Sequence, residues 1–209
     1  MNDPRIALVR HGETDWNARN VFQGRVDRPL NGNGLRQADG AAAFLSRWRW
    51  GRVVSSPLTR AQQTARAIGE RLSLPPASEP WPDLTERAFG AAEGVDRDRA
   101  TARWPDQDFP DSEPIGAVDE RAVRAWHRLE SAEAGVIAVT HVVIVRTIVR
   151  SVTGIDPGFV GNGSAIVLER RRGSWQLTAV VDPSNENALG HGPRRPATRP
   201  AGRRPVRSR

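Results

Sequence analysis

The stretch "IALVRHGETDWN", Ile6 to Asn17, decides how the rest of the chain is read. A short apolar run, Ile6 to Val9, stops at Arg10, His11 and Gly12. Such a run bounded by polar and turn residues reads as a buried strand. A permanent cation followed by a group that titrates near neutrality is an odd ending for a strand built for stability alone. Both side chains are candidates for a site at the strand's carboxyl end.

Moving outward, further strand signals occur at Arg52 to Ser55 and at Gly135 to Thr140. Helical patterns lie between them. Leu35 to Leu45 is rich in Ala and Leu and follows the turn-forming "PLNGNG". Leu58, Ala61, Ala65, Ile68 and Leu72 share one helical face, with Ser56 expected as N-cap and Pro57 as first helical residue. Val118, Ala122, Trp126 and Leu129 mark another helix, and Val142 to Val152 a third, stopped by Gly154 and Pro157. Strands alternating with helices predict an α/β fold, a three-layer α/β/α sandwich around a mostly parallel sheet. "SAIVLER", "RRGS" and "WQLTAVV" read as an antiparallel hairpin closing the sheet edge. Leu74 to Gly116, rich in Pro, Asp and Trp, has little periodicity and is expected to form a small cap over the site.

The chain of 209 residues suits one α/β domain. Its formal charge of +7 first suggests a nucleic-acid partner, but Asn187 to Arg209 holds seven arginines and no carboxylate. The remainder balances 24 arginines against 24 Asp and Glu, and lysine is absent. Residues 1–186 are therefore expected to form the catalytic domain and 187–209 a disordered Arg/Pro-rich tail. The tail is read first as a solvated extension and second as a tether to nucleic acid or an anionic membrane face. No apolar run reaches the ~20 residues of a membrane span, and "MNDPR" lacks a signal-peptide layout, so a cytoplasmic location is expected. With no cysteine, chemistry must rest on His, carboxylate, hydroxyl or Arg.

In a parallel α/β sheet, ligands bind beyond the carboxyl ends of the strands. The first strand delivers Arg10, His11 and Gly12 there, and the second leads through Ser55 and Ser56 to Arg60 in a helix's first turn. The third ends in Thr140 and His141. Two imidazoles and two guanidiniums near helix N-termini suit a small dianion such as phosphate. Arginine in a first helical turn opposes the helix dipole, which a bound anion explains. A neutral His11 can act as nucleophile towards phosphorus. The proton donor for a departing alkoxide could be Glu13 or Glu86, and spacing leaves both open. No cofactor is called for, and Arg10 and Arg60 would repel a metal ion, so no metal site is expected.

"LVRHGETDWN", "FQGRVDRPLNGNGLRQA", "SSPLTRAQQTA", "LTERAFGAAEG" and "VTHVVIVR" together resemble the histidine phosphatase superfamily, the phosphoglycerate mutase-like enzymes. The likeness runs from about Arg5 to Val181. It implies that His11 becomes phosphorylated and that Arg10, Arg60, His141 and Asn17 hold the phosphoryl oxygens. It also implies that Gln23 and Gly24 sit at the pocket mouth and that Glu86 is the proton donor. Three departures stand out: Val142 where glycine usually follows the second histidine, Ala92 where tryptophan is common, and "PDSEPIGA" in place of a Gly-Glu-Ser turn. Val142 is expected to crowd the pocket or turn a backbone N–H.

The first functional reading is metal-independent hydrolysis of a small phosphorylated metabolite through a phosphohistidine. A mutase returning the phosphoryl group to another hydroxyl is the second, disfavoured by a short cap. A catalytically weak phospholigand-binding protein is the third. Trp48, Trp50, Trp81 and Trp104 could stack on bases but are expected to serve packing. His127, His191 and the sequon at Asn162 are read as incidental, and oligomeric state is left open.

Overall fold

The computed structural model describes residues 5–75, 79–132 and 134–183. The 187–209 tail and His191 lie outside them. The described elements run β1 (Arg5–Arg10), α1 (Asp15–Ala18), α2 (Gly32–Leu45), β2 (Arg52–Ser55), α3 (Thr59–Arg71), α4 (Arg97–Arg103), α5 (Ile115–Glu130), β3 (Val136–Thr140), α6 (Val142–Thr153), β4 (Ala165–Arg171) and β5 (Ser174–Val181). Two short 3-10 turns, Pro82–Leu84 and Gly90–Ala92, precede α4.

The sheet has the order β2-β3-β1-β4-β5. β1 pairs parallel with β3, and β3 parallel with β2. β4 is antiparallel to both β1 and β5, so four of the five strands run the same way and the C-terminal hairpin closes one edge. Side-chain alternation along β1 divides the core, since successive residues of a strand face opposite sides. Ile6 and Leu8 join α5 and α6 through Val118, Trp126, Ile144 and Ile148. Ala7 and Val9 join α2 and α3 through Ala41, Leu45, Ala65 and Ile68. Helices thus cover both faces, as the strand–helix alternation predicts.

Two boundaries differ from the sequence reading. α2 begins at Gly32, not after the glycines, because the Asn31 side chain caps it by accepting from Gly34 N at 2.8 Å. Gly34 also has to pass the first loop closely: a Cβ there would stand 2.1 Å from the Glu13 carbonyl oxygen. α3 begins at Thr59 with Leu58 at the N-cap and no side-chain cap. Ser56 is not its cap; its hydroxyl is engaged by His141.

The expected cap segment packs with Phe22 of the first loop into a small core, in which Phe22, Phe89, Ala92, Ala100 and Phe109 are buried and Trp104 packs against them. Ala92 fits because the phenylalanines supply the bulk, with Phe22 and Phe89 edge-on at 5.0 Å. Trp81 lies instead in the α5–α6 layer and Trp48 and Trp50 against the α2–α3 layer, so the four tryptophans form no common platform. Among the described residues no helix is long and apolar enough to cross a membrane.

Candidate active site

The carboxyl ends of β1, β2 and β3 meet where the sequence put them. His11 N donates to the Thr140 carbonyl at 3.0 Å, and Ser56 N to Val139 at 3.0 Å, which locks the three strand exits together. Gly12 is required by packing: a Cβ would stand 2.3 Å from the Gly34 carbonyl oxygen. His11 and His141 are buried with ring centroids 5.0 Å apart.

The His11 tautomer follows from its partners. Nδ1 lies 2.7 Å from the Gly12 carbonyl oxygen, which can only accept, so Nδ1 carries the proton. Nε2 then holds the lone pair and accepts from Arg60 Nε at 3.2 Å. Burial, reinforced by Arg60 and Arg10, drives the His11 pKa well below 6.5, leaving the ring neutral. His141 is lowered in the same way by burial and by Arg60, His11 and Arg10. Its Nε2 lies 2.8 Å from Ser56 Oγ, and its Nδ1 is buried with no hydrogen-bond partner among the described residues.

Arg60 is almost wholly buried. Its NH2 donates to the Gly24 carbonyl at 2.7 Å and its NH1 to Val26 at 3.0 Å, tying the 23–27 loop to His11. Gly24 adopts φ +53°, and a Cβ there would stand 1.9 Å from Glu93 Oε1. Gln23 is buried and accepts from the Thr14 hydroxyl at 3.0 Å. Arg10 NH1 donates to Val160 at 2.7 Å, while its Nε is a buried donor without a partner. Burial pulls the Arg10 pKa down to about 10, with Glu86 opposing and Arg97 and Arg60 adding to the effect. Orphaned donors on a cationic floor fit an anion, because each would otherwise remain an uncompensated buried polar group.

The two carboxylate candidates separate clearly. Glu13 turns away, accepting from Asn31 Nδ2 at 2.9 Å beside the start of α2. Glu86 is buried, and burial raises its pKa against the pull of Arg87 N, Arg60 and Arg10. The loop that carries it is pinned to the strand ends: Thr140 Oγ1 donates to Leu84 O at 2.6 Å, and Trp81 N to Ser55 O at 2.8 Å. Behind it, Arg121 donates to the Asp83 and Thr85 carbonyls and pairs with Glu113 at 2.8 Å. Glu113 also accepts from Ala88 N at 3.3 Å, so the variant "PDSEPIGA" keeps an acid bracing this loop.

Asn162 is the residue that sequence reasoning dismissed. Its Nδ2 donates to the His11 carbonyl at 3.2 Å and to Asn17 Oδ1 at 3.2 Å, holding the His11 peptide and Asn17 together. Nothing local in "GNGS" signals this; only the approach of the β4 entry loop to β1 creates it. Ser56, misread as a cap, is the other missed contributor. Val142 opens α6 directly after His141 as a regular helical residue, half buried on the cleft wall. The cleft that opens beside Arg10, Asn17 and Asn162 measures about 570 Å³, so the valine narrows but does not close it. Among the described residues, no group of His, Asp and Glu could hold a metal ion. His127 pairs with Glu130 on the exposed face of α5, away from the site.

Comparison with known proteins agrees with this geometry. A family model described as the histidine phosphatase superfamily (branch 1) matches residues 6–183. The "uncharacterized phosphatase PhoE" of Bacillus subtilis is 36% identical over 154 residues, covering 73% of this chain and 79% of that protein. A metal-independent phosphoserine phosphatase of Arabidopsis thaliana is 32% identical over 201 residues, covering 88% and 84%. Among solved structures, a mycobacterial glucosyl-3-phosphoglycerate phosphatase in complex with VO3 superposes with a TM-score of 0.75 at 25% identity, over 83% of this chain and 97% of that one.

Proposed function

The chain belongs to the histidine phosphatase superfamily, and from that premise we propose that it is a metal-independent phosphomonoesterase working through a phosphohistidine at His11. The observation that carries the reading is the buried, neutral imidazole whose Nε2 lone pair is held by Arg60 beside the orphaned donor of Arg10.

The substrate dianion displaces nothing charged on entry: Arg10, Arg60 and the two histidines surround its phosphoryl oxygens, with Asn17 at the edge and Gln23 and Gly24 shaping the mouth. His11 Nε2 attacks phosphorus and the P–O ester bond breaks. The Glu86 carboxyl, whose pKa burial raises, gives its proton to the departing alkoxide. Water then attacks the phosphohistidine, the Glu86 carboxylate takes its proton, the P–N bond breaks and phosphate leaves. Arg60 releases the Nε2 lone pair as the phosphoryl group arrives, and the two guanidiniums then stabilise the charge that develops on the equatorial oxygens.

The phosphatase of Bacillus subtilis supports hydrolysis, and the phosphoserine phosphatase of Arabidopsis thaliana supports hydrolysis without a metal. The short cap supports water, rather than a second substrate hydroxyl, as final acceptor. Rapid-quench of the enzyme with p-nitrophenyl phosphate in excess EDTA is expected to yield an acid-labile phosphoryl adduct on His11 and free phosphate. His11→Ala should lose turnover by at least about three orders of magnitude. Absence of the adduct during turnover would overturn the reading. Conversion of 3-phosphoglycerate to 2-phosphoglycerate faster than phosphate release would favour the mutase instead.

A further inference from the structure

Arginines also gather at the end of the sheet opposite His11. β1, β2, β3 and β5 begin there, β4 ends there, and α2 and α5 run down to it. The register brings their residues into one row: Arg52 pairs with Val136, Arg5 with Glu169 and Arg170 with Trp175. The loop ahead of β2 joins that row at Gly135, where a Cβ would stand 3.1 Å from the Arg49 carbonyl oxygen and 3.6 Å from that of Arg5. Five strands spaced by about 4.8 Å make the row roughly 19 Å wide.

The segments 47–52, 128–130 and 169–175 supply most of its charge. Arg47, Arg49, Arg52, Arg128, Arg170 and Arg172 are exposed, and none makes an ion pair or a side-chain hydrogen bond among the described residues. The carboxylates of these segments are already held: Glu169 by Arg5 at 2.8 Å and Arg171 at 2.7 Å, and Glu130 by His127 at 2.8 Å and Trp175 at 3.4 Å. Helix polarity accounts for Arg128, in the last turn of α5, but not for the others, which lie in loops and at strand ends. Aromatic faces steady several of them. Arg47 lies over Trp48 at 5.4 Å and Phe44 at 5.5 Å, and Arg52 and Arg128 over Trp81 at 5.8 Å and 3.8 Å. Such contacts orient a guanidinium and leave its N–H donors free. Like charges gathered this way repel. Residues 1–186 balance Arg against Asp and Glu, so the cluster is a matter of placement rather than of composition.

We infer that this end of the sheet docks the phosphodiester backbone of a nucleic acid, an activity separate from the proposed hydrolysis. Free guanidinium forks match phosphate oxygens. A row roughly 19 Å wide faces on the order of ten phosphate charges of a duplex. The tryptophans carry arginines on their faces or pack edge-on against one another, so the contact is to backbone rather than to stacked bases and reads no sequence. A bilayer fits less well, because none of the large exposed apolar side chains lies in these segments to insert between lipid headgroups.

Fluorescence anisotropy of the full chain with a labelled single strand of about 20 thymidylates, and with a duplex of that length, between about 50 and 200 mM salt tests this. The basic tail is present in every protein compared, so differences between them report the sheet end. The wild type is expected to bind with a negative slope of log K against log salt. Changing Arg47, Arg49 and Arg52 together to Gln should weaken binding at least about tenfold and flatten the single-strand slope by about two, at ~0.7 per lost contact. Arg170→Gln combined with Arg172→Gln should act in the same direction. A charge-matched control at the active-site end, Arg36, Arg99 and Arg103 changed to Gln, should bind as the wild type does. All three variants are expected to keep the wild-type urea midpoint, since every changed side chain is exposed. The binding assay needs no turnover, so it decides this inference whether or not the phosphatase reading holds. No binding by the wild type, equal binding by the wild type and the first variant, equal losses in that variant and the control, or binding to phosphatidylserine vesicles but to neither oligonucleotide would overturn it.

Discussion

At the scale of single residues, the site sets a neutral histidine beside a carboxyl whose hold on its proton is strengthened, within the same pocket. Burial does both, because it penalises whichever form is charged. The Glu86 pKa is raised above 4.5, so the proton needed by the leaving group is lost as pH rises through that raised value. Hydrolysis of an alkyl phosphate is therefore expected to decline with rising pH through a titration that disappears in Glu86→Gln. That variant should slow the alkyl ester by about 10²–10⁴-fold and p-nitrophenyl phosphate far less, since a phenolate hardly needs a proton. pH–rate profiles with both substrates measure this; equal slowing would remove Glu86 from the role of acid. His11, His141, Arg10 and Arg60 were legible in the sequence because each sits at a strand exit or in the turn after one. Glu86 was legible only through resemblance. Asn162 and Ser56 were not, because their partners come from strands more than eighty residues away in sequence.

At the scale of elements, the interesting unit is the loop carrying Glu86. Its position is set by the Arg121–Glu113 pair on α5 and the turn before it, reaching the Asp83 and Thr85 carbonyls. Both partners are largely buried; Glu113 also meets the half-exposed Arg25 at 3.1 Å, so removing Arg121 leaves its charge only weakly compensated. Arg121→Met is expected to cost about 1.5–3 kcal/mol in a denaturant titration. It should also lower activity on alkyl phosphates more than on p-nitrophenyl phosphate, because a displaced Glu86 matters only where a proton is needed. Loss of stability with equal loss on both substrates would make the clamp purely structural. Helices α3, α5 and α6 were readable from their apolar spacing, while the start of α2 was misjudged. The glycines that suggested a turn are there to let the first loop and the helix approach closely.

At the scale of the whole molecule, the same buried imidazoles link function to acid stability. A histidine near 6.5 when unfolded but driven well below that in the fold binds its proton only on unfolding. Stability is thus intact above about pH 6.5 and lost as pH falls towards the folded pKa values. Glu86 acts in the opposite sense: its raised pKa contributes stability that is present below its unfolded value of 4.5 and lost as pH rises. Two imidazoles against one carboxyl leave a net loss on acidification. The urea midpoint should fall between pH 7 and pH 5.5, and by less in His141→Asn than in the wild type. A midpoint that does not change over this range would sink the assignment of both rings as neutral.

The order of strands and helices, the parallel sheet and the four cationic or imidazole groups at its rim were determined by the sequence alone, since period and strand-end chemistry are local properties. The tertiary structure decided which carboxylate enters the pocket and how the His11 proton is placed. Each of these depends on hydrogen bonds and charges between segments distant in the chain, and no window of sequence contains both ends of such a contact.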